Sequence, residues 1–329
     1  NTSREVDFKK LVFKINRDNN IEVVLVQHEF GFYKQQEEAF IQFLIELSKP
    51  VVLVFHTVLP NPDKELKSIV KRIVAASKSI VVMTHNSANI LSEDYGISIK
   101  KVAVIPHGTH LVHHLSQNFL KNKFGLADRK VITTFGLLSS GKSIETTLEA
   151  MHDIVKKIPE VAFLVIGKTH PEVVKQEGEK YRELLEKKVK QLSLQDHVIF
   201  INRYLPLPEL LEYLQLTDIY IFATNDPNQA VSGTFAYAMS CACPIISTPI
   251  PHAKEVLTKD TGIVFDFRNS EQLADDVILL LSNETLRKNL SVNALQKIVS
   301  TAWENSAVAH ALLLAETAGN KIPVRYNYP

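Results

Sequence analysis

Cysteine is nearly absent from this sequence: its 329 residues include only Cys241 and Cys243, which flank a single alanine. That spacing is too short for an easy disulfide, and no further cysteine is present to complete a zinc site. The pair therefore favours a reducing compartment. Net charge is also nearly absent, at +1 with histidine neutral, so overall electrostatics argue against a nucleic-acid-binding protein.

Long hydrophobic runs are missing as well. No run reaches the length of about 20 residues that a transmembrane helix requires, and no signal-peptide pattern is visible. Together with the two cysteines, these absences predict a cytoplasmic protein, with a peripheral position at the inner face of the membrane as the alternative. The composition that remains, 45% hydrophobic and 22% charged, is typical of globular domains, and the length favours two of them.

Short apolar runs alternate with segments of helical periodicity along the chain. The predicted strands cover 21–26, 51–55, 80–83, 102–105, 131–135, 162–166, 198–201, 219–223, 244–247 and 262–265. The predicted helices cover 36–48, 63–76, 87–95, 143–158, 178–192, 207–215, 234–240 and 270–281. Nearly continuous Val/Ile/Leu strands between amphipathic helices are typical of parallel sheets covered on both faces. Because the alternation breaks after Gly108 and restarts, we predict an α/β protein with two doubly wound domains facing a cleft.

The segment 225–244 is the most informative part of the chain. It follows a predicted strand, and Ser232, Gly233 and Thr234 open the helix that comes next. Free amides at the start of a helix, together with the positive end of the helix dipole, suit a phosphate group. The segment therefore predicts a site for a phosphorylated ligand. The alternative is an ordinary connection with a well-capped helix.

An ordered set of motifs runs from about residue 21 to residue 315. It comprises VQHEFGFY at 26–33, FHTVLP at 55–60, IPHG at 105–108, FGLLSSGK at 135–142, FLVIG at 163–167, the segment 225–244 and TAWE at 301–304. In this order the motifs resemble those of family 4 retaining glycosyltransferases, which have the GT-B architecture of two Rossmann-like domains. The resemblance implies four parts: an acceptor domain over 1–108, a linker over 109–128, a donor domain over 129–300, and a helix and tail over 301–329 that pack toward the acceptor domain.

The resemblance implies an enzyme that moves a sugar from a nucleotide-diphosphate sugar, GDP- or UDP-linked, to a glycan or lipid-linked acceptor and keeps the anomeric configuration. A mannosyl- or glucosyltransferase is the expected type. Metal is not normally needed in such enzymes, and no cofactor is expected. A sugar-nucleotide epimerase of the same architecture is a weaker alternative.

The donor site is expected in the second domain. Lys142, which follows a strand and a glycine-containing turn, matches the family's diphosphate-binding lysine, and Gly136 is a further expected donor contact. The turn at Arg203, Tyr204 and Leu205 resembles the one that contacts the nucleobase. The remaining donor contacts are expected from the segment 225–244, at Gln229, Val231, Ser232, Gly233, Thr234 and Tyr237. The alternative for Lys142 is a solvated lysine ahead of a helix.

Three positions depart from the family pattern. Leu137 stands where an arginine usually also grips the diphosphate, and an aliphatic side chain cannot replace that cation. Gln229 and Tyr237 stand where two glutamates usually lie eight positions apart. Gln229 can hydrogen-bond sugar hydroxyls but offers no charge, although a Gln/Tyr pattern also resembles a subgroup of the family. These departures motivate a second hypothesis, a catalytically silent nucleotide-sugar-binding or scaffold protein.

The first domain offers candidate residues at the ends of two predicted strands. His56 matches the family's histidine near the transferred sugar and joins Lys142 and Gln229 in the predicted catalytic set; the alternative is a histidine that caps a neighbouring loop. His28, Glu29, Phe30 and Gly31 are predicted to contact the acceptor, or else to form a structural turn. The histidines at 110, 113 and 114 are interpreted as a polar hinge and not as a metal site.

The first domain also predicts partners beyond the substrates. A helix over 63–72 carries basic residues on its polar face and predicts either peripheral membrane contact or, because acidic residues are mixed in, a solvated surface. The first block has only about four strands and lacks the opening strand and glycine-rich turn of the family. We therefore expect an upstream segment or a homodimer partner to complete this domain.

Overall fold

The computed structural model describes residues 4–33 and 35–320. The chain divides into two compact units. Unit 1 takes the described residues of Asn1–Gly108, Asn228–Val231 and Trp303–Pro329, and unit 2 consists of Thr109–Pro227 and Ser232–Ala302. Each unit contains one parallel sheet, so the predicted α/β fold with two sheets is confirmed.

Unit 1 is built on a four-stranded sheet of order β1-β2-β3-β4. The strands are β1 Val24–His28, β2 Val51–Phe55, β3 Ser79–Val82 and β4 Val102–Val104. The helices are α1 Glu5–Arg17, α2 Glu37–Glu46, α3 Lys64–Ala75, α4 His85–Glu93 and α14 Trp303–Thr317. The first predicted strand is shifted, because pairing with β2 starts at Val24, opposite Val51, and not at residue 21.

Both faces of the first sheet are covered, which explains why β2 is apolar at all five positions. One face packs against a core that includes Phe8 of α1 and Phe40 of α2. The other face packs against Ala309, Leu313 and Leu314 of the C-terminal helix α14. Parallel strands buried in this way read as continuous hydrophobic runs rather than as alternating ones.

Unit 2 is built on a six-stranded sheet of order β10-β9-β8-β5-β6-β7. The strands are β5 Lys130–Phe135, β6 Val161–Ile166, β7 Val198–Ile201, β8 Ile219–Phe222, β9 Ile245–Ser247 and β10 Ile263–Val264. The helices are α5 Gln117–Lys123, α6 Ile144–Lys157, α7 Pro171–Glu177, α8 Lys180–Gln191, α9 Leu207–Gln215, α10 Gly233–Ser240, α11 Pro251–Val256, α12 Ser270–Ser282 and α13 Glu284–Val299.

The chain order places a topological switch point between β5 and β8. From β5 the chain moves outward to β6 and β7, then returns to add β8 on the other side of β5. In open α/β sheets a crevice forms beyond the carboxyl ends of the two strands at such a point, and ligands bind there. The loops that follow β5 and β8 are therefore the place to look for a site in unit 2.

The predicted linker contains a helix that is anchored in unit 2. Lys121 of α5 is buried and its Nζ donates to the carboxylate of Asp218 at 2.5 Å. The same carboxylate oxygen accepts from the amide of Val131 at 2.7 Å. Because a buried ion pair stays favourable only while both partners are present, this contact fixes α5 to the start of β5.

Four further helices were not predicted from the sequence. They are α1, α7, α11 and α13. In α13, Leu290, Ala294 and Ile298 are buried whereas Val292 and Val299 are exposed. Apolar residues on more than one face of a helix give a weak helical period. Among the residues that the structure describes, no helix combines the length and apolarity needed to cross a bilayer.

Candidate functional site

The loops after β5 and β6 approach each other closely in unit 2. Gly136 and Gly167 follow these strands with φ of 140° and 132°, a region that favours glycine. A Cβ added at Gly167 would lie 2.0 Å from the carbonyl oxygen of Gly136. The amide of Leu138 also donates to the carbonyl of Lys168 at 2.8 Å. Glycine is thus required here because the two backbones touch.

Lys142 lies beside this glycine pair. A Cβ at Gly136 would come within 3.9 Å of Lys142 Cε and 3.6 Å of Thr234 Cγ2, so all three meet at the switch point. Nζ lies 5.5 Å from the centroid of the Phe222 ring. Burial lowers the pKa of Lys142 below its ordinary value. Within the described residues no carboxylate pairs with this ammonium group, so its charge is available to an anionic ligand.

The loop after β8 holds the backbone that carries Lys142. Thr224 Oγ1 donates to the carbonyl of Gly141 at 3.0 Å, and the amide of Asn225 donates to the same carbonyl at 2.9 Å. Asn225 Oδ1 in turn accepts from Nε of Arg268 at 3.2 Å. These three positioning residues were missed from the sequence. The sequence held one signal for them: two polar residues, Thr224 and Asn225, follow the buried strand β8.

The N-terminus of α10 also lies close to Gly136, through Thr234. Ser232 is its N-cap: its Oγ accepts from the amide of Phe235 at 3.4 Å and lies 3.0 Å from Thr234 Oγ1. The amide of Ser232 donates to Nδ1 of His252 at 3.3 Å. Gly233 and Thr234 are in the first turn, where amides have no carbonyl partner within the helix. Such a terminus, with a cation nearby, can hold a phosphate group.

A pocket of about 350 Å³ opens next to Gly136. It is lined by Phe135, Gly136, Leu137, Ile166, Gly167, Lys168, Arg203, Tyr204, Leu205, Leu207, Leu210 and Tyr237. The structure thus brings together Gly136 with the predicted turn at 203–205 and with Tyr237. Most of the lining is aliphatic or aromatic, which suits a flat, partly apolar group such as a nucleobase.

The three residues of the predicted base-contacting turn differ in exposure. Leu205 is buried and forms part of the pocket wall, whereas Tyr204 is 82% exposed. The Arg203 guanidinium forms two hydrogen bonds with the Glu209 carboxylate, the longer at 2.9 Å. Arg203 is therefore already paired at the pocket wall and is a weak candidate for a second diphosphate cation.

Tyr237 presents an aromatic surface to the pocket. Its ring is stacked on His110, with centroids 5.3 Å apart and planes inclined by 13°. It also meets the edge of Phe135 at 6.3 Å. His110, interpreted from the sequence as part of a hinge, thus also supports a wall of this pocket.

The segment predicted as one donor site is divided between the units. Residues Asn228–Val231 are grouped with unit 1, whereas Ser232 and the residues after it belong to unit 2. In unit 1, Gln229 Nε2 donates to the carbonyl of Val231 at 3.4 Å. The predicted roles of Gln229 and Val231 at the donor remain predictions.

In unit 1, polar side chains meet at the carboxyl ends of β1 and β2. His56 Nε2 lies 2.7 Å from Gln27 Oε1. Glu29 accepts twice, from Thr57 Oγ1 at 2.9 Å and from the amide of Phe30 at 3.1 Å. Gln27 therefore orients the predicted catalytic histidine, a role that sequence reasoning did not assign to it.

His28 lies in an aromatic cluster, only 2% exposed. Its ring stacks on Tyr33 at 5.5 Å and meets the edges of Phe30 and Phe55. Burial, and secondarily the charge of His56, lowers its pKa to about 4. Among residues 4–33 and 35–320, no group forms a hydrogen bond with its Nδ1. His28 is one wall of a cavity of about 230 Å³ shared with Phe30 and Gly31, so acceptor contact by His28 would require a group that enters this cavity.

Across residues 4–33 and 35–320, no group of three or more His, Cys, Asp or Glu side chains is arranged to hold a metal ion. The two cysteines of unit 2 are both buried and free.

Comparison with known proteins places this geometry in context. A family model described as "Glycosyl transferases group 1" matches residues 116–297, which contain Lys142, the start of α10 and every residue that lines the pocket of unit 2. N-acetyl-alpha-D-glucosaminyl L-malate synthase from Bacillus anthracis is 23% identical over 158 residues. That alignment covers 48% of this chain and 37% of the relative, so it spans little more than a third of that protein.

Several solved structures share the fold over nearly the whole chain. A glycosyltransferase from Rickettsia africae has a TM-score of 0.79 at 17% identity, covering 96% of this chain and 82% of its own. Sucrose-phosphate synthase from Thermosynechococcus elongatus has a TM-score of 0.77 at 18% identity, covering 95% and 78%. HepE from Anabaena, solved in complex with UDP, has a TM-score of 0.75 at 16% identity, covering 93% and 81%. These likenesses confirm the predicted GT-B fold.

Proposed function

This chain belongs to the glycosyl transferases group 1 family, and on that premise we propose that it transfers a hexose from a nucleotide-diphosphate sugar to a glycan or lipid-linked acceptor. We propose further that the reaction keeps the anomeric configuration and needs no metal ion. Since HepE was solved with UDP and with UDP-glucose, UDP-linked donors are the first to test, followed by GDP- and ADP-linked ones.

The observation that carries the proposal is the unpaired ammonium of Lys142 at the switch point of unit 2. Burying a cation without a partner costs free energy, so its position beside Gly136 and Thr234 is explained best by a ligand that brings the counter-charge. A diphosphate placed there would accept hydrogen bonds from the amides at the start of α10 and from Lys142. The adjoining 350 Å³ pocket would hold the nucleoside.

The same arrangement accounts for leaving-group stabilisation without a metal. As the bond between the sugar C1 and the diphosphate oxygen breaks, negative charge grows on the diphosphate. A fixed cation and a helix N-terminus stabilise charge at the position where it develops. Leu137, which is 42% exposed at the pocket, adds no charge, so Lys142 would carry most of this role.

The acceptor step follows from the proposed retention of configuration. The acceptor oxygen forms a bond to C1 on the face that the diphosphate leaves, and the acceptor proton passes to a departing phosphate oxygen. No general base is then required, and we do not assign that role to Glu29, whose carboxylate already holds Thr57 and the amide of Phe30. We assign His56, held by Gln27, and Gln229 to hydrogen bonds with the transferred sugar.

Calorimetry with UDP-, GDP- and ADP-sugars tests donor binding, and a chelator tests metal independence. Product NMR then reports the anomeric configuration after transfer to glycan or lipid-linked acceptors. Failure of all three nucleotide classes to bind would overturn the donor site. Loss of transfer with the chelator, or an inverted product, would overturn the corresponding part of the proposal.

A catalytically silent nucleotide-sugar-binding or scaffold protein is the second candidate. Leu137, Gln229 and Tyr237 favour it, since each lacks a charge that the related enzymes were expected to carry. Donor binding without either donor hydrolysis or transfer would support this candidate. Measurable turnover would exclude it.

We propose a cytoplasmic location, supported by the free and buried Cys241 and Cys243. Peripheral membrane contact through α3 and a homodimer partner both stay predictions. On α3, Arg72 already forms a hydrogen-bonded pair with Glu38, with the second contact at 2.6 Å. Vesicle flotation and light scattering would measure membrane binding and oligomeric state.

A further inference from the structure

The pocket beside Gly136 contains no carboxylate. All twelve lining residues are described by the structure: eight are glycine or have hydrocarbon side chains, two are tyrosines, and the charged ones are Lys168 and Arg203. The nearest acidic group known to contact a lining residue is Glu209, and both of its oxygens are taken by the Arg203 guanidinium. A ligand in this pocket therefore meets no free acidic acceptor from the wall.

This lack bears on how a nucleoside is recognised. In nucleotide-binding α/β folds an acidic side chain commonly accepts hydrogen bonds from the ribose hydroxyls. A carboxylate has two oxygens and can accept from both hydroxyls at once, and such charge-assisted bonds are about twice as strong as neutral ones. Without a carboxylate, the ribose hydroxyls contribute much less to affinity.

Tyr237 shows what the pocket offers instead. Its ring is fixed between a parallel stack on His110 and an edge contact with Phe135. It can present an aromatic face and a single hydroxyl, so it can contact at most one ribose hydroxyl by a neutral hydrogen bond. The side chains that lie around it, such as Leu205 and Leu210, are apolar.

We propose that this pocket holds the nucleoside of the donor by apolar and aromatic contact and does not read the ribose 2′-hydroxyl, so that 2′-deoxyribonucleoside diphosphates are ligands comparable to ribonucleoside diphosphates. The proposal rests on the donor site assigned above. It extends the donor class, because sugars linked to deoxyribonucleotides become candidate substrates alongside those linked to ribonucleotides.

Paired titrations test the proposal on the full chain: UDP against 2′-deoxy-UDP, GDP against 2′-deoxy-GDP, and ADP against 2′-deoxy-ADP. For the base that binds best, the two dissociation constants are expected to agree within about tenfold, the most that one neutral hydrogen bond supplies. A preference of a hundredfold or more for the ribonucleotide would overturn the proposal. If none of the six nucleotides binds, the donor site itself is wrong, which is a distinct outcome.

Variants of Tyr237 supply the matched control. Tyr237→Glu introduces a carboxylate at this wall and is expected to raise the ribonucleotide preference by at least tenfold over the wild type. Tyr237→Gln, of the same size but neutral, and Tyr237→Phe are expected to leave the ratio within about threefold of the wild-type value. A large change in the ratio for Tyr237→Phe would show that the phenol reads the hydroxyl, against the proposal. An unchanged ratio for a folded Tyr237→Glu would show that the sugar ring does not lie beside this residue.

Discussion

Replacing Lys142 with methionine is the most direct test of the site in unit 2. Methionine keeps much of the apolar length of the lysine side chain but removes its charge. Since no carboxylate within the described residues pairs with Lys142, the substitution leaves no acidic group without a partner. Any loss of affinity is then attributable to the ligand contact.

The expected magnitude follows from the type of bond that is lost. A hydrogen bond to a charged group contributes about 1.5–3 kcal/mol, which corresponds to a loss of about ten- to hundredfold in affinity for a nucleoside diphosphate. Nucleoside alone occupies only the neighbouring pocket in this proposal. Its dissociation constant is therefore expected to change by less than about twofold.

The stability of the ligand-free protein should change in the opposite direction. Burial lowers the pKa of Lys142, so the folded state disfavours the charged form and the charge destabilises the fold at any pH below the ordinary lysine pKa. Lys142→Met is thus expected to raise the free energy of unfolding at neutral pH. The gain should shrink as the pH rises toward the ordinary value of 10.5.

Calorimetry with UDP and with uridine measures the affinities, and urea denaturation measures the stability. Lys188→Met is the matched control, because Lys188 is also partly buried in unit 2 but its ammonium is paired with Glu149 at 2.5 Å. This substitution should leave the affinities for UDP and for uridine unchanged. Equal weakening of UDP and uridine by Lys142→Met would refute the phosphate role. Lower stability of the ligand-free variant would refute the view that the ammonium is unpaired.

Three other predictions concern the framework of the two units. Gly167→Ala would place a Cβ 2.0 Å from a backbone carbonyl oxygen. It is expected to lower the free energy of unfolding, measured by urea denaturation, by about 3 kcal/mol or more. The control Gly178→Ala has open space around its Cβ and should lower it by only about 1–2 kcal/mol. Because the pKa of His28 is about 4 in the fold and about 6.5 in an unfolded chain, only the unfolded state gains a proton between these values. The free energy of unfolding should therefore fall by up to about 3 kcal/mol as the pH drops from 6.5 to 4, and a folded His28→Phe variant with the same pH slope would contradict this. Asp218→Asn leaves the buried ammonium of Lys121 without its counter-charge and should cost about 3–5 kcal/mol. The double variant Asp218→Asn/Lys121→Met removes both charges and is the less damaging comparison; equal costs would show that the unpaired charge is not the cause.

Much of the fold could be predicted from local pattern. The five consecutive apolar residues of β2 indicated a strand buried on both faces. In the structure, α14 covers the face of this sheet that the other helices of unit 1 leave open. The alternation of such strands with amphipathic helices indicated two parallel sheets, and the prediction of a glycosyltransferase is confirmed at the level of the family. What local pattern missed included helices with weak periods, such as α13, which is stabilised by packing against α10 and α12 rather than by propensity.

The features of the candidate site also fall into those that local pattern predicted and those that depend on the fold. Local signals in the sequence were enough to place Gly136, Lys142 and Ser232 at the ends of buried strands or the start of a helix, because glycine, a cation and a capping hydroxyl are typical of those places. That Lys142 has no acidic partner among the described residues while Arg203 has one follows from the tertiary structure alone. Pairing between side chains depends on which loops the sheet order brings together, and strands distant in sequence, here β5 and β8, become neighbours only through the topology of the fold.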